Sequence, residues 1–153
     1  MKNIDIQGVC EMNLNKLIGL EELDKLNLPK DKYAIGGSAP LVIRGILNKN
    51  VDIDILVSNE LWDLLLQKNV VKKININGRP VQYMSICDID IFNSVIGFSN
   101  QECEKIIERA DVLGGHRFIN LEDTMKCKIS SGRPKDLMAV EAIKDYIKQS
   151  ISQ

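Results

Sequence analysis

The chain has 153 residues, of which 44% are hydrophobic and 27% are charged, values that are typical of one soluble globular domain. Its 20 Lys and Arg residues against 21 Asp and Glu residues give a net charge of −1, so bulk charge gives no support for tight nonspecific binding to nucleic acid, although a local basic patch is compatible with it. No apolar run reaches the ~18 residues of a membrane span, and the N-terminus lacks a long apolar stretch, so we expect no signal peptide and no membrane partner.

The cysteines favour a reducing compartment. Cys10, Cys87, Cys103 and Cys127 are widely spaced, and none of them forms a CxxC pair. The single histidine, His116, is not spaced to complete a zinc site with them. We therefore expect free thiols and a cytoplasmic location.

The first three elements are predicted to be a helix, a strand and a second helix. Leucines at helical spacing over 13–29 predict an opening helix that breaks at the first proline. The apolar run 32–37 ends in two glycines and predicts a short strand. The following run, 38–47, predicts a helix, since Ser38 lies where an N-cap is expected and Pro40 falls in the first turn.

Strict alternation over 51–57, with the sequence VDIDILV, predicts a strand. Its aliphatic residues would lie on one face, and Asp52 and Asp54 would lie on the other. The next apolar pattern, 59–69, predicts a helix with Asn59 as its cap.

A hairpin is predicted over 70–86, because Asn77 and Gly78 form a strong turn signal between two β-prone runs. Residues 88–94 are predicted to continue the second run as strand. A helix is then predicted over 99–111, capped by the serine that opens it.

The last part of the chain is predicted to be a second hairpin and two helices. Residues 112–119 contain a glycine pair at a hairpin-like turn. Residues 120–151 are mostly helical in pattern, with Gly132 and Pro134 marking a corner between two helices.

The order of these elements predicts an α/β (α+β) fold, in which a small mixed β-sheet is flanked by helices. No repeat or evident linker divides the sequence. We therefore expect one domain over residues 1–153, with a core at about 33–120 and a C-terminal helical segment at about 121–150.

Asp52 and Asp54 lie at i and i+2 of a strand, so their side chains point the same way. Two buried like charges are costly without a counter-ion, and hard oxygen ligands favour Mg²⁺ or Mn²⁺. The alternative is a solvent-facing edge strand with aspartate on its polar face, although Asp is a poor strand residue.

The same tripeptide recurs, with Asp88 and Asp90 on a second alternating segment. Carboxylates that converge from two neighbouring strands can hold two metal ions about 3.5–4 Å apart, an arrangement that serves in-line phosphoryl or nucleotidyl transfer.

Gly36, Gly37 and Ser38 form a corner between a strand and a helix. Glycines there let backbone N–H groups approach an anion, and the helix N-terminus favours its negative charge. The alternative is a tight turn that is simply capped by serine.

The segment GGSAPLVIRGILNKNVDIDILV, with an acid on a later strand, resembles the signature of the DNA polymerase β-like nucleotidyltransferase superfamily. The segment INLEDTMKCKISSGRPKDLMAVEAI resembles the C-terminal part of small bacterial members related to the abortive-infection toxins of type IV toxin–antitoxin systems. Together the resemblance covers about residues 33–146. It implies a nucleotidyltransferase fold.

The resemblance also implies roles for individual residues. The implied catalytic residues and metal ligands are Asp52, Asp54 and Asp90. Asp90 would be the general base, and Asp88 competes with it for the place of the third acid. The residues that would bind the nucleotide are Gly36, Gly37, Ser38, Lys128, Arg133 and Lys135. Asp136 completes the basic motif, which could equally be a solvated helical face.

The implied activity is transfer of a nucleoside monophosphate from an NTP to an acceptor hydroxyl, with Mg²⁺ or Mn²⁺ as cofactor. The expected acceptor is RNA or protein in a toxin–antitoxin or defence setting, with an antitoxin or a second subunit as a further partner. One alternative is an aminoglycoside- or lincosamide-type antibiotic nucleotidyltransferase. Another is a non-catalytic nucleotide-binding module of the same fold.

Overall fold

A computed structural model describes residues 6–50 and 52–152. Val51, the first residue of the predicted strand over 51–57, lies outside the described residues. The helices are α1 (Ile6–Leu14), α2 (Leu20–Lys25), α3 (Ala39–Ile43), α4 (Asn59–Leu66), α5 (Asn100–Glu108), α6 (Leu121–Ser131) and α7 (Pro134–Ser152). The strands are β1 (Tyr33–Gly36), β2 (Ile53–Val57), β3 (Lys72–Ile76), β4 (Arg79–Ile86), β5 (Ile89–Phe92), β6 (Asp111–Leu113) and β7 (His116–Phe118).

The strands of the described ranges form one seven-stranded mixed sheet in the order β3-β4-β5-β2-β1-β7-β6. Its centre consists of β5, β2 and β1, in which β2 runs parallel to β5 and antiparallel to β1. β7 is parallel to β1, and the remaining neighbours are antiparallel. The predicted α/β class with a mixed sheet is confirmed, although the sheet is larger than expected.

Helices cover both faces of the sheet centre. On one face, Ile53, Ile55 and Val57 of β2 pack with residues of α1 to α4. On the other face, Leu56 packs with Ile106 and other residues of α5. The alternation predicted for β2 is correct for the first face, and the second face is also buried because α5 lies over it.

The predicted single helix over 13–29 is wrong, since a turn separates α1 from α2. Gly19 lies in that turn with a φ of 95°, and a Cβ there would be 3.0 Å from Cγ1 of Ile53. The Asn50 side chain also accepts a hydrogen bond from the Ile18 backbone N–H and donates one to the Ile18 carbonyl, both at 2.9 Å. Tertiary contacts with the start of β2 therefore interrupt the leucine pattern.

The prediction that 88–94 continues the preceding strand is also wrong. Cys87 and Asp88 have φ values of 50° and 64° and form the two-residue turn between β4 and β5. Positive φ at both central residues is the geometry of a tight hairpin turn. Asp88 therefore belongs to a turn, whereas Asp90 belongs to a strand.

The helix caps agree with the sequence in part. Ser99 opens α5 with a capping box. Ser58 caps α4, because its hydroxyl accepts a hydrogen bond from the Leu61 N–H at 3.2 Å, so the prediction of Asn59 as that cap is wrong. Ser38 lies at the N-cap position of α3 but makes no side-chain cap hydrogen bond. α3 is only five residues long, shorter than predicted.

The predicted corner between the last two helices is confirmed. Gly132 ends α6 in the left-handed conformation with a φ of 66°, and Pro134 opens α7. α6 and α7 pack on each other and, through Leu41, on α3. Among the described helices, including the long α7, none has the length and apolar composition that a bilayer span requires.

Candidate functional site

Three aspartates meet at the ends of β2 and β5. Asp54 and Asp90 are register partners in this parallel strand pair, and Asp52 directly precedes β2. Asp52, Asp54 and Asp90 each offer a carboxylate oxygen, and these oxygens all lie within 4.8 Å of one another. We call this group the acidic cluster. The structure thus brings together the acids that the sequence analysis singled out.

The strand pattern explains why these acids converge. Ile53 and Ile89 are fully buried on one face of the sheet, as is Ile91. Because side chains alternate between the faces, the aspartates are placed on the opposite face. The parallel register then sets Asp54 beside Asp90. Burial of the isoleucines therefore fixes the position of the carboxylates.

Asp88 is not part of the acidic cluster. It lies in the exposed turn before β5. Its effect on the cluster is indirect, since its negative charge is the last of the contributions that bear on the pKa of Asp90. Of the two candidates for the third acid, Asp90 has the geometry of a shared site.

The acidic cluster lacks balancing positive charge. Burial, followed by the charges of Asp52 and Asp90, raises the pKa of Asp54 to about 7, against the lowering effect of Lys128 and Lys135. Burial and the charge of Asp52 also raise the pKa of Asp90, although a hydrogen bond from Ser85 and the charge of Lys72 oppose this. A divalent cation would supply the missing charge, and carboxylate oxygens are its preferred ligands.

The glycine corner lies directly against the acidic cluster. Gly36 is the register partner of Asp54 in the β1–β2 pair. Gly37 has a φ of 67°, and a Cβ at this position would lie 2.7 Å from Oδ2 of Asp54. The backbone conformation therefore favours glycine, and any side chain here would displace the Asp54 carboxylate. Ser38 follows at the start of α3, half-buried.

The basic motif on α6 and α7 is organised by one buried carboxylate. Asp136, which is 2% exposed, accepts hydrogen bonds from Nε of Arg133 at 2.7 Å and from Nη2 of Arg133 at 3.3 Å. Nζ of Lys128 lies 3.8 Å from the same carboxylate. Lys135 is exposed and forms no salt bridge within the described ranges. Asp136 therefore holds Lys128 and Arg133 in one ion-pair cluster, and Lys135 lies outside this cluster.

A cavity of about 140 Å³ connects these parts. The glycine corner lines it through Gly36 and Gly37, and the charged residues Asp54, Lys128 and Arg133 line it as well. Most of its remaining wall is aliphatic or aromatic. We call it the apolar cavity.

A second cavity has a volume of about 470 Å³. Its lining includes Asp52 and Asp90 of the acidic cluster, together with Glu22, Ser85 and Asp88. We call it the acidic pocket. The acidic cluster therefore contributes to two cavities of different character.

Sequence reasoning missed several residues beside the acids. Ser85, Tyr83 and Lys72 share the sheet face of the acidic cluster, because β4 and β5 are in register at Ser85 and Asp90 and β3 and β4 at Lys72 and Tyr83. The Tyr83 and Phe92 rings stack with their centroids 5.7 Å apart. The alternating pattern of β4 places Tyr83 and Ser85 on one face of the sheet. Their position beside Asp90 could be predicted only with the turn at Cys87 and Asp88, which sets the pairing of β4 with β5.

Comparisons with known proteins identify no relatives. No protein-family model matches the chain, and neither a curated protein nor a solved structure matches it at the significance required.

Proposed function

We propose that this chain is a divalent-metal-dependent nucleotidyltransferase, with the fold of the DNA polymerase β-like superfamily, that transfers a nucleoside monophosphate from an NTP to an acceptor hydroxyl. The observation that carries the proposal is the juxtaposition of the acidic cluster with Gly37 and the cations beside the apolar cavity. Paired acids alone are common on protein surfaces. Their position against a glycine corner between a strand and a helix is what favours nucleotidyl transfer.

The acidic cluster has the donor set for Mg²⁺ or Mn²⁺. Asp52, Asp54 and Asp90 would hold the metal, since their oxygens lie within 4.8 Å of one another and the high pKa of Asp54 marks a deficit of positive charge. When bound, such ions neutralise charge on the transferred phosphoryl group and make the attacking hydroxyl more acidic.

The protein's own groups then have distinct roles. Backbone N–H groups at Gly36, Gly37 and Ser38 bind phosphate oxygens, and Lys128, which lines the same cavity, adds positive charge. Asp90 takes the proton of the acceptor hydroxyl while the oxygen of that hydroxyl forms a bond to the α-phosphorus. The bond from that phosphorus to the bridging oxygen breaks, and pyrophosphate leaves with the electron pair. A carboxylate within reach of the acceptor hydroxyl can serve as such a general base.

A basic edge of the sheet favours RNA as the acceptor. Between Asp63 and Asp88 the sequence has four basic residues and no acidic residue. These basic residues are exposed on or beside the β3–β4 hairpin: Lys68, Lys72, Lys73 and Arg79. Lys72 lies close enough to the site for its charge to act on Asp90. A polyanionic strand laid along this edge would reach the acids.

The biological setting follows from the resemblance of the C-terminal motif. Residues 119–143 favour a toxin–antitoxin or defence role in the cytoplasm, in which an antitoxin or a second subunit would be the protein partner. The organised cluster around Asp136 is consistent with a functional motif rather than a solvated face.

The acidic pocket favours a second candidate, an antibiotic nucleotidyltransferase. Glu22, Asp52, Asp88 and Asp90 line this pocket with no basic residue. A polycationic acceptor such as an aminoglycoside would suit that charge. The two candidates share the same chemistry and differ only in the acceptor.

Incubation with NTPs labelled at the α-phosphate, Mg²⁺, and either cellular RNA or an aminoglycoside tests both candidates. The native protein is expected to label RNA, whereas Asp52→Asn/Asp54→Asn is expected to lose the labelling. Asp88→Asn, outside the acidic cluster, serves as the matched control and should retain it. Labelling of the aminoglycoside alone would favour the second candidate. Equal labelling by the native protein and the double variant would remove the proposed mechanism, whereas nucleotide binding without transfer would favour a non-catalytic module.

A further inference from the structure

We propose that the apolar cavity holds the nucleobase of the NTP, and that it recognises the base by its flat shape rather than by its hydrogen-bonding edge. This inference rests on the proposed function, since it takes the acidic cluster and the glycine corner as the site of the triphosphate.

The walls of the apolar cavity come from separate parts of the chain. Its apolar lining side chains include Ile76, Val81, Phe92, Val95, Ile96 and Ile119. These residues belong to the β3–β4 hairpin, to β5 and the loop that follows it, and to the segment between β7 and α6. A planar aromatic group is the part of an NTP that gains most from such a surface.

The charged groups fix the orientation of the nucleotide. Gly37, Asp54, Lys128 and Arg133 all line the apolar cavity. A triphosphate would remain with the backbone corner and the cations. The nucleoside is then directed toward the apolar walls.

A hydrogen bond joins the β3–β4 hairpin to the α6–α7 corner beside the cavity. Nδ2 of Asn77, at the tip of the β3–β4 hairpin, donates a hydrogen bond to the Ser131 carbonyl at the end of α6, at 3.0 Å. A Cβ at Gly132 would lie 3.3 Å from the same amide nitrogen. The hairpin that contributes Ile76 and Val81 is thereby held against the α6–α7 corner.

Apart from the charged side chains assigned to the triphosphate end, the apolar cavity offers few side-chain partners for the edge of a base. Ser94 and Ser131 supply its hydroxyl groups. The Ser131 side chain already forms a hydrogen bond with the Cys127 side chain. Stacking against apolar and aromatic groups tolerates every base, because every base has a π-face. We therefore expect ATP, GTP, CTP and UTP to bind within about tenfold of one another.

The experiment uses a substitution that would fill the apolar cavity. Ile96→Trp places a large ring in its lining, and Ile74→Trp is the matched control, since Ile74 is 43% exposed and does not line the cavity. Titration calorimetry with Mg²⁺ compares ATP with inorganic tripolyphosphate. The native protein and the control should bind ATP at least about tenfold more tightly than tripolyphosphate. Ile96→Trp should bind the two ligands equally, with unchanged affinity for tripolyphosphate.

Native-like preference for ATP in a folded Ile96→Trp variant would overturn the nucleobase site and leave the proposed function standing. If the native protein bound neither ligand, both proposals would fall together. Photo-crosslinking of the native protein with 8-azido-ATP covers the case of a variant that does not fold. Labelled peptides should contain residues 92–96, and labelling confined to the acidic pocket would contradict the inference.

Discussion

Asp54 on β2 and Asp90 on β5 are direct neighbours across a parallel strand pair, although α4 and the β3–β4 hairpin separate them in the chain. Burial and, after it, the negative charge of Asp52 raise the pKa values of both carboxyl groups. In the absence of metal this pair is a source of instability. We therefore expect the folded protein to respond to pH, to divalent cations and to the removal of either charge.

The stability of the metal-free protein should fall as pH rises through the acid range. The pKa of Asp54 is about 7 in the folded state, above its usual value of 3.8, so the folded state binds a proton more tightly than the unfolded state. The cost is absent below about pH 4, grows between the two pKa values and levels off above about pH 7. Urea unfolding in EDTA should show a loss of about 2–4 kcal/mol over this range.

Asp54→Asn should remove most of this pH dependence, because asparagine has no charge to bury. Near pH 8 without metal, the variant should be more stable than the native protein by about 1–3 kcal/mol. Mg²⁺ should then stabilise the native protein and leave the variant unchanged. A native protein whose free energy of unfolding stays flat between about pH 4 and pH 7 would contradict the raised pKa.

Gly37→Ala should disturb the site beyond its backbone cost. The φ of 67° disfavours alanine, and the added methyl group would lie 2.7 Å from Oδ2 of Asp54. We expect a loss of about 1–3 kcal/mol in stability and of most nucleotidyl transfer. Gly78→Ala is the matched control, since Gly78 has a φ of 84° and has nothing within 4 Å of an added Cβ. Equal loss of transfer in both variants would show that general strain is responsible.

Asp136→Ala should weaken NTP binding by releasing Arg133 and Lys128. Removing a buried carboxylate from its cations should destabilise the protein by about 3–5 kcal/mol. Asp123→Ala is the matched control, because Asp123 is 5% exposed and makes a bidentate pair with Arg109. Thermal unfolding should show similar losses for both variants. The KM for NTP should rise only for Asp136→Ala, and a parallel rise in the control would assign the effect to stability alone.

Lys72→Glu/Lys73→Glu should weaken use of an RNA acceptor. Reversal of charge on the exposed edge strand should raise the KM for RNA by about tenfold or more and reduce its salt dependence, while the KM for NTP stays near the native value. Lys105→Glu/Lys144→Glu, on α5 and α7, is the control with the same change in net charge. Unchanged use of RNA by the double variant would exclude the hairpin as the path of the acceptor.

Local patterns were sufficient for the elements whose signals are local. Three such elements are the Asn77–Gly78 turn, the Ser99 cap and the corner at Gly132. Each of them depends only on residues a few positions apart in the sequence. The interruption at Gly19 was not predictable in this way, because it depends on contact with Ile53.

The candidate site was predictable only in part. The alternating acids on β2 and β5 indicated convergence, since burial of isoleucine on one face places aspartate on the other. The turn at Asp88 escaped notice because Cys87 and Asp88 lack the usual glycine. The apolar cavity is assembled from segments far apart in sequence, including Phe92 and Ile119. The hydrophobic pattern of a single segment therefore could not predict the lining of this cavity.

The central claim is that Asp52, Asp54 and Asp90 jointly bind divalent cations beneath a triphosphate. Titration calorimetry of ATP with and without Mn²⁺, on the native protein and on Asp52→Asn/Asp54→Asn, tests it most directly. We predict that the native protein binds ATP only with Mn²⁺, and that the double variant binds ATP at least about 100-fold more weakly. Equal affinity in the two proteins, or native binding that does not depend on Mn²⁺, would contradict it.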